Sequence, residues 1–190
     1  VNVFNVKELF AAKFSNHIYR LSEISEDDTN KVSLCFYKNE FLDFDKIAKE
    51  YHSSWATTDM IFFDLKREYI VFVEYKNGKI KSQDKPKIKQ KFLDSLALFY
   101  KILEIDKKVF WDFKTYLLFV TNKDKNINQV QQQNYLSLTD EFLNLLEDNI
   151  ILYGFDRYKP WYFNEIKTPF CNEFSELMHK EFNIKLEEQK

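Results

Sequence analysis

Thr58–Leu65 and Tyr69–Tyr75 are rich in Ile, Val and Phe, and only Lys66-Arg67-Glu68 separates them. So short a polar connection between two strand-forming runs predicts a tight hairpin. From Asp84 to Ile105 the period changes: Ile88, Phe92, Leu96, Phe99 and Leu103 fall on one face of a helix. Asp84 is the expected N-cap, and Pro86 fits the first turn. Thr115–Thr121 then reads as a strongly apolar strand. A hairpin is antiparallel, whereas a helical crossover returns the chain parallel to its neighbour. The expected architecture is therefore an α/β sandwich, with a central mixed β-sheet flanked by helices.

The rest of the chain is read more coarsely. Asn2–Leu21 has helical spacing, Glu23–Asp28 looks like a solvated turn, and Lys31–Tyr37 is a short strand. Phe41–Tyr51 reads as a second short helix, Asn122–Asn134 as polar loop and Leu138–Glu147 as helix. Ile150–Tyr153 is strand-like, and Glu173–Glu188 closes the chain as a helix. No repeat and no Pro/Gly/Ser-rich linker divides it, so a single domain over residues 1–190 is expected.

Composition removes several function classes. Two glycines in 190 residues cannot build a phosphate-binding loop or a dinucleotide turn, which need several close together. There is no G-x-S-x-G, H-E-x-x-H or C-x-x-C. Cys35 and Cys171 read as separate, packed, reduced thiols of a cytosolic protein. No apolar run approaches the ~20 residues of a membrane span, so no membrane association is expected. The N-terminus lacks the layout of a signal peptide. His17, His52 and His179 have no partner at catalytic or metal spacing, and Trp55 and Trp161–Phe163 read as core packing among 34 aromatics.

The hairpin carries the chemistry. Centred between Lys66 and Arg67, it pairs residues whose numbers sum to 133, and this sets Asp59 opposite Glu74. Their Cβ atoms are then about 5 Å apart. Glu74 and Lys76 share one strand face, with Tyr75 on the other. Two carboxylates held beside an ammonium make a hard-oxygen pocket for a divalent cation. Asp64 has the wrong parity for that face, and Glu68 sits roughly 20 Å along the strand. Acidic-x-Lys occurs six times in the chain, but only the Glu74 copy ends an apolar strand with a register-matched acid before it.

Asp59, fourteen residues, then Glu74-Tyr75-Lys76 resembles the signature of the PD-(D/E)XK nuclease superfamily. The family's helix–three strands–helix–strand core is similar to the order read from Val3 to Thr121, about two-thirds of the chain. Thr58 stands where the motif usually has proline. The resemblance implies a restriction-endonuclease-like sandwich with its catalytic core at about 3–122, and a C-terminal strand and helices at 123–190. It implies hydrolysis of phosphodiester bonds with Mg2+, for which Mn2+ can substitute. Asp59, Glu74 and the Tyr75 backbone carbonyl would ligate the metal, and Lys76 would orient the attacking water or stabilise developing charge. Glu8 and Gln90 are accessory candidates. DNA is the favoured substrate. By analogy the chain is a cytoplasmic restriction-type cleavage subunit that needs a larger recognition subunit or a homodimer partner. A stand-alone repair or junction nuclease, an RNA nuclease, and a non-catalytic nucleic-acid-binding or assembly module of the same fold are the alternatives.

A separate feature points to nucleic acid. Lys76, Lys79, Lys81, Lys85, Lys87, Lys89 and Lys91 lie within sixteen residues, opposed only by Asp84, a local charge of +6 in a chain of net −2. Clustered lysine is the electrostatic footprint of phosphate contact.

Overall fold

The computed structural model describes residues 3–27, 30–52, 54–104, 113–126 and 151–189. In chain order its strands are β1 (Ile18–Arg20), β2 (Glu26–Asp27), β3 (Val32–Ser33), β4 (Glu40–Asp43), β5 (Met60–Asp64), β6 (Tyr69–Lys76), β7 (Lys114–Thr121) and β8 (Glu165–Lys167). The helices are α1 (Val3–Lys13), α2 (Leu21–Ile24), α3 (Phe44–Tyr51), α4 (Lys85–Leu103) and α5 (Cys171–Phe182).

Six strands form one mixed sheet in the order β1-β4-β5-β6-β7-β8, and β2 pairs with β3 in a separate ribbon. From β1 to β6 each neighbouring pair is antiparallel. The two pairs reached through helical or long crossovers, β6–β7 and β7–β8, are parallel. Strands apolar on both faces belong inside a sheet, and β6 lies there between β5 and β7. Ile70 and Phe72 of β6, with Ile61, Leu117 and Phe119, pack against α1, α3 and α4. Val71, Val73 and Tyr75, with Met60, Phe62 and Leu118, pack against α5 and the Leu34–Cys35 segment. Phe72 is fully buried, and its ring meets those of Phe44, Phe99 and Phe163. Burying one such side chain stabilises the fold by about 1.5–3 kcal/mol. Among the described residues no helix is long and apolar enough to cross a membrane.

The hairpin, the long helix and the strand after it match the expectations to within a residue or two. Elsewhere the boundaries move. The helix expected over Asn2–Leu21 stops at Lys13, and a 3-10 turn at Ser15–His17 leads into β1. Where a turn is expected over Glu23–Asp28, α2 runs to Ile24 and β2 takes Glu26–Asp27, and Asp28 lies outside the described residues. Within the Lys31–Tyr37 run, Val32–Ser33 pairs as strand and Tyr37 forms a single bridge to Glu188. Phe41–Tyr51 divides at Asp43, whose carboxylate accepts from the Lys46 N–H at 2.9 Å and starts α3 after the strand β4. Asp84 does not cap α4 with its side chain; its carboxylate instead accepts from the Lys81 N–H. Leu152–Gly154 is a 3-10 turn rather than a strand, with Tyr153 at φ 67°. The last helix begins at Cys171 and ends where Asn183 adopts φ 56°. Leu138–Glu147 and most of Asn122–Asn134 lie outside the described residues.

The cysteines also depart from expectation. Cys35 and Cys171 are joined sulfur to sulfur, with Cα atoms 6.0 Å apart. Both segments pack on the same sheet face, so 136 residues of sequence separation become a contact.

Candidate active site

The hairpin register runs from Asp64 opposite Tyr69 to Met60 opposite Val73, which is the expected pairing. Continued one step outward, it sets Asp59 against Glu74. Here the backbone ladder gives way to a side chain: the Tyr75 N–H donates to Asp59 Oδ2 at 2.7 Å. The Phe44 N–H at the start of α3 donates to the Asp59 carbonyl at 2.9 Å, which fixes the same residue from behind.

Helix α4 completes the arrangement. The Ser95 hydroxyl accepts from the Thr58 N–H at 2.8 Å and donates to the Lys91 carbonyl at 2.7 Å. That contact pins the helix against the start of β5. One turn earlier on the same face, Lys91 Nζ donates to Glu74 Oε1 at 2.7 Å and to Asp59 Oδ1 at 3.4 Å. Both carboxylates therefore lie within reach of one ammonium.

With both carboxylates ionised, the charges do not balance. Glu74 is 2 % exposed, and burial together with the Asp59 charge pushes its carboxyl up to about 8. Burial also raises Asp59, against the pull of Lys91. Lys91 keeps its proton beyond the usual lysine range: burial works against it, but the two carboxylates prevail. Glu74 Oε2 is buried with no hydrogen-bond partner among the described residues. A buried acceptor without a donor is costly, and this one sits where positive charge is short. The donor set suits a hard cation. Among the described residues no cluster of three or more His, Cys, Asp or Glu is placed to hold a metal. Mg2+ commonly takes only one or two carboxylates and keeps water or substrate oxygens for the rest.

The carboxylates open on a cleft of about 530 Å³ whose lining includes Asp59, Glu74, Lys76, Lys87, Gln90 and Lys91. Comparisons with protein-family models, with curated proteins and with solved structures found no match.

Lys76 lies on the cleft wall, half-buried at the end of β6, and no described ion pair joins it to either carboxylate. The ammonium that reaches them belongs to Lys91, which the sequence pattern groups only with the phosphate-binding lysines. Its position does carry a signal. Lys91 and Ser95 are four apart and border the apolar stripe of Ile88, Phe92 and Leu96, so they face the sheet where β5 begins and β6 ends. Gln90 also lines the cleft, but its amide donates to Asp94 Oδ1 at 2.6 Å. Glu8 lies on the exposed side of α1, outside the cleft lining. Asp64 is on the opposite sheet face from Glu74, as parity requires. There Oδ1 accepts from the Lys66 and Arg67 N–H groups and shapes the hairpin turn.

The lysine run is not one surface. Residues two apart on a helix fall on opposite flanks. Lys87 and Lys91 face the cleft, while Lys89 lies 5.6 Å from the centre of the Tyr158 ring on the other flank. Lys79 and Lys81, ahead of the helix, are exposed. The Trp161–Phe163 cluster is split as well: Phe163 is buried in the core, whereas Trp161 and Tyr162 are exposed.

Proposed function

We propose that this protein is a divalent-metal-dependent nuclease of the PD-(D/E)XK type, with a restriction-endonuclease-like sandwich and DNA as substrate. The observation that carries the reading is the convergence of Asp59 and Glu74 on Lys91 at the open end of the hairpin, where Glu74 Oε2 lacks a partner among the described residues. Asp59 and Glu74 would hold Mg2+ or Mn2+. The N–H and C=O of one residue point to the same side of a strand. The Tyr75 carbonyl therefore shares the Asp59 side with its N–H and can join them.

Bound there, the ion would acidify water and offset charge on the scissile phosphate. Lys91 holds the two carboxylates together before the ion arrives, and Asp59 is kept in place by the Tyr75 N–H. Lys76, on the wall of the same cleft, would orient the water or meet the phosphate. Lys79, Lys81 and Lys87 supply positive charge along the approach. By analogy the chain acts in the cytoplasm as a restriction-type cleavage subunit, with a larger recognition subunit or a second copy of itself reading the sequence.

The contact of Lys91 with both carboxylates also favours a second reading, in which the cluster is a permanent ion pair in a non-catalytic nucleic-acid-binding module. One experiment separates them. Wild type and Glu74→Gln are incubated with plasmid DNA and with structured RNA, in Mg2+ or Mn2+, with and without a candidate partner protein. Metal-dependent cleavage by wild type that Glu74→Gln lacks, with nucleic-acid binding retained, supports the nuclease. Cleavage of RNA alone moves the substrate to RNA. No cleavage by wild type under any of these conditions hands the site to the binding module.

A further inference from the structure

We propose that Cys35 and Cys171 form a thiol–disulfide exchange site that opens on a second cleft and reacts with small peptide thiols and their disulfides, of the glutathione class. The proposal stands apart from the nuclease reading. The Cα separation of 6.0 Å lies within the range a disulfide spans without moving the backbone. The two sulfurs differ in access. Cys35 is fully buried, whereas Cys171 is partly exposed and lines a cleft of about 530 Å³. An incoming thiolate therefore meets Cys171 first.

The surroundings provide for both redox states. When the bond is open, the Cys171 thiol has the Leu34 carbonyl as acceptor at 2.9 Å. Cys35 is held by its backbone: its N–H donates to Ser25 Oγ, and its carbonyl lies 3.1 Å from the same hydroxyl as a further acceptor. Both cysteines thus keep hydrogen-bonded anchors when the bond breaks, Cys171 through its sulfur and Cys35 through its backbone. Cys171 is also the first residue of α5, where the helix dipole favours negative charge on an attacking or departing sulfur. The cleft suits a zwitterionic peptide thiol: Lys123 and Asn172 can meet carboxylates, Asp124 and Glu188 an ammonium, and Phe36 offers an exposed apolar wall.

The exchange balances. A thiolate attacks Cys171 Sγ, the bond to Cys35 breaks, and Cys35 leaves as thiolate to take a proton. A second thiol then attacks the mixed disulfide and releases Cys171. The protein gains two electrons and two protons, and two small thiols become one disulfide. The reverse direction uses the small disulfide as oxidant.

The test is thiol trapping on the full chain. The protein is equilibrated with oxidised glutathione or with dithiothreitol, alkylated, and weighed by intact mass spectrometry. We expect no alkylation and the loss of two hydrogen atoms in the first, two alkylations in the second, and full reversal on exchange of the reagents. Cys35→Ser should accumulate one glutathione on Cys171, while Cys171→Ser should leave Cys35 unmodified. Two alkylatable thiols persisting in oxidised glutathione would overturn the proposal. So would a bond that dithiothreitol cannot open in the folded protein, or equal glutathione uptake by the two variants. The wild-type arms decide the matter even if a variant fails to fold.

Discussion

Glu74 has one carboxylate oxygen on Lys91 and the other on no described donor, with Asp59 beside it. In the folded, metal-free chain its carboxyl holds a proton up to about 8, against 4.5 for the ordinary group. A raised carboxyl means that the folded state binds protons more tightly than the unfolded one. Its contribution to stability is then fully present below 4.5 and is lost as pH rises through about 8. Thermal melts in chelator should therefore show wild type weakening across that window. Glu74→Gln should melt with a flatter pH profile and be more stable at the alkaline end by roughly 1–3 kcal/mol. Added Mg2+ should raise the wild-type melting temperature and leave Glu74→Gln unmoved. The two lysines should separate in the same assay. Lys91→Ala removes the ammonium from two facing carboxylates and should cost about 1–3 kcal/mol in chelator, a value lowered by its partial exposure. Lys76→Ala should change stability by less than about 0.5 kcal/mol yet remove most cleavage. The carboxylate pair was legible in the sequence because a tight hairpin fixes register by counting. Lys91 was not, because its reach depends on how close α4 packs, and that is set by Ser95 meeting Thr58.

At the scale of elements, α4 carries its lysines on two flanks, and this divides the basic run into two surfaces. Lys87 lines the cleft and Lys79 and Lys81 are exposed ahead of the helix, whereas Lys89 covers Tyr158. Replacing the first three by Ala should flatten the log–log salt dependence of DNA binding, by roughly 0.9 for each phosphate that a lysine no longer neutralises. Replacing Lys85 and Lys89 should change that slope much less. Equal effects would mean that the nucleic acid spans both flanks of the helix. Asp64 belongs to this scale too, since it serves the hairpin turn and not the cleft. Asp64→Ala should lower stability by about 1–2 kcal/mol through the absence of two turn hydrogen bonds, while metal-dependent cleavage is retained. Short elements were the ones the sequence concealed. β1 lies within a run whose apolar spacing continues that of α1, and β4 is absorbed into the helical pattern of α3 until Asp43 interrupts it. β8 has three residues, too few for alternation to rise above chance.

At the scale of the whole molecule, both cores are completed from beyond the hairpin–helix–strand unit that carries the candidate site. On the α4 face, Phe155 meets Phe92 and Phe119, and Phe163 meets Phe72 and Phe92. On the other face, Phe174 meets Tyr75, Phe182 meets Phe62 and Tyr116, and Met178 is fully buried among them. Five buried phenylalanine or methionine side chains, at about 1.5–3 kcal/mol each, match the whole margin of about 5–15 kcal/mol by which a domain is stable. A fragment spanning 3–122 contains every residue proposed for chemistry at the carboxylate cleft, yet it leaves apolar strand faces uncovered on both sides of the sheet. It should therefore lack a cooperative thermal transition and bind an apolar dye, whereas the full chain melts in one step. Circular dichroism melts of the two, side by side, check this. A fragment that melted as sharply as the full chain would show that residues beyond 122 are an addition to a self-sufficient core, and that the ring contacts from Phe155 to Phe182 contribute little.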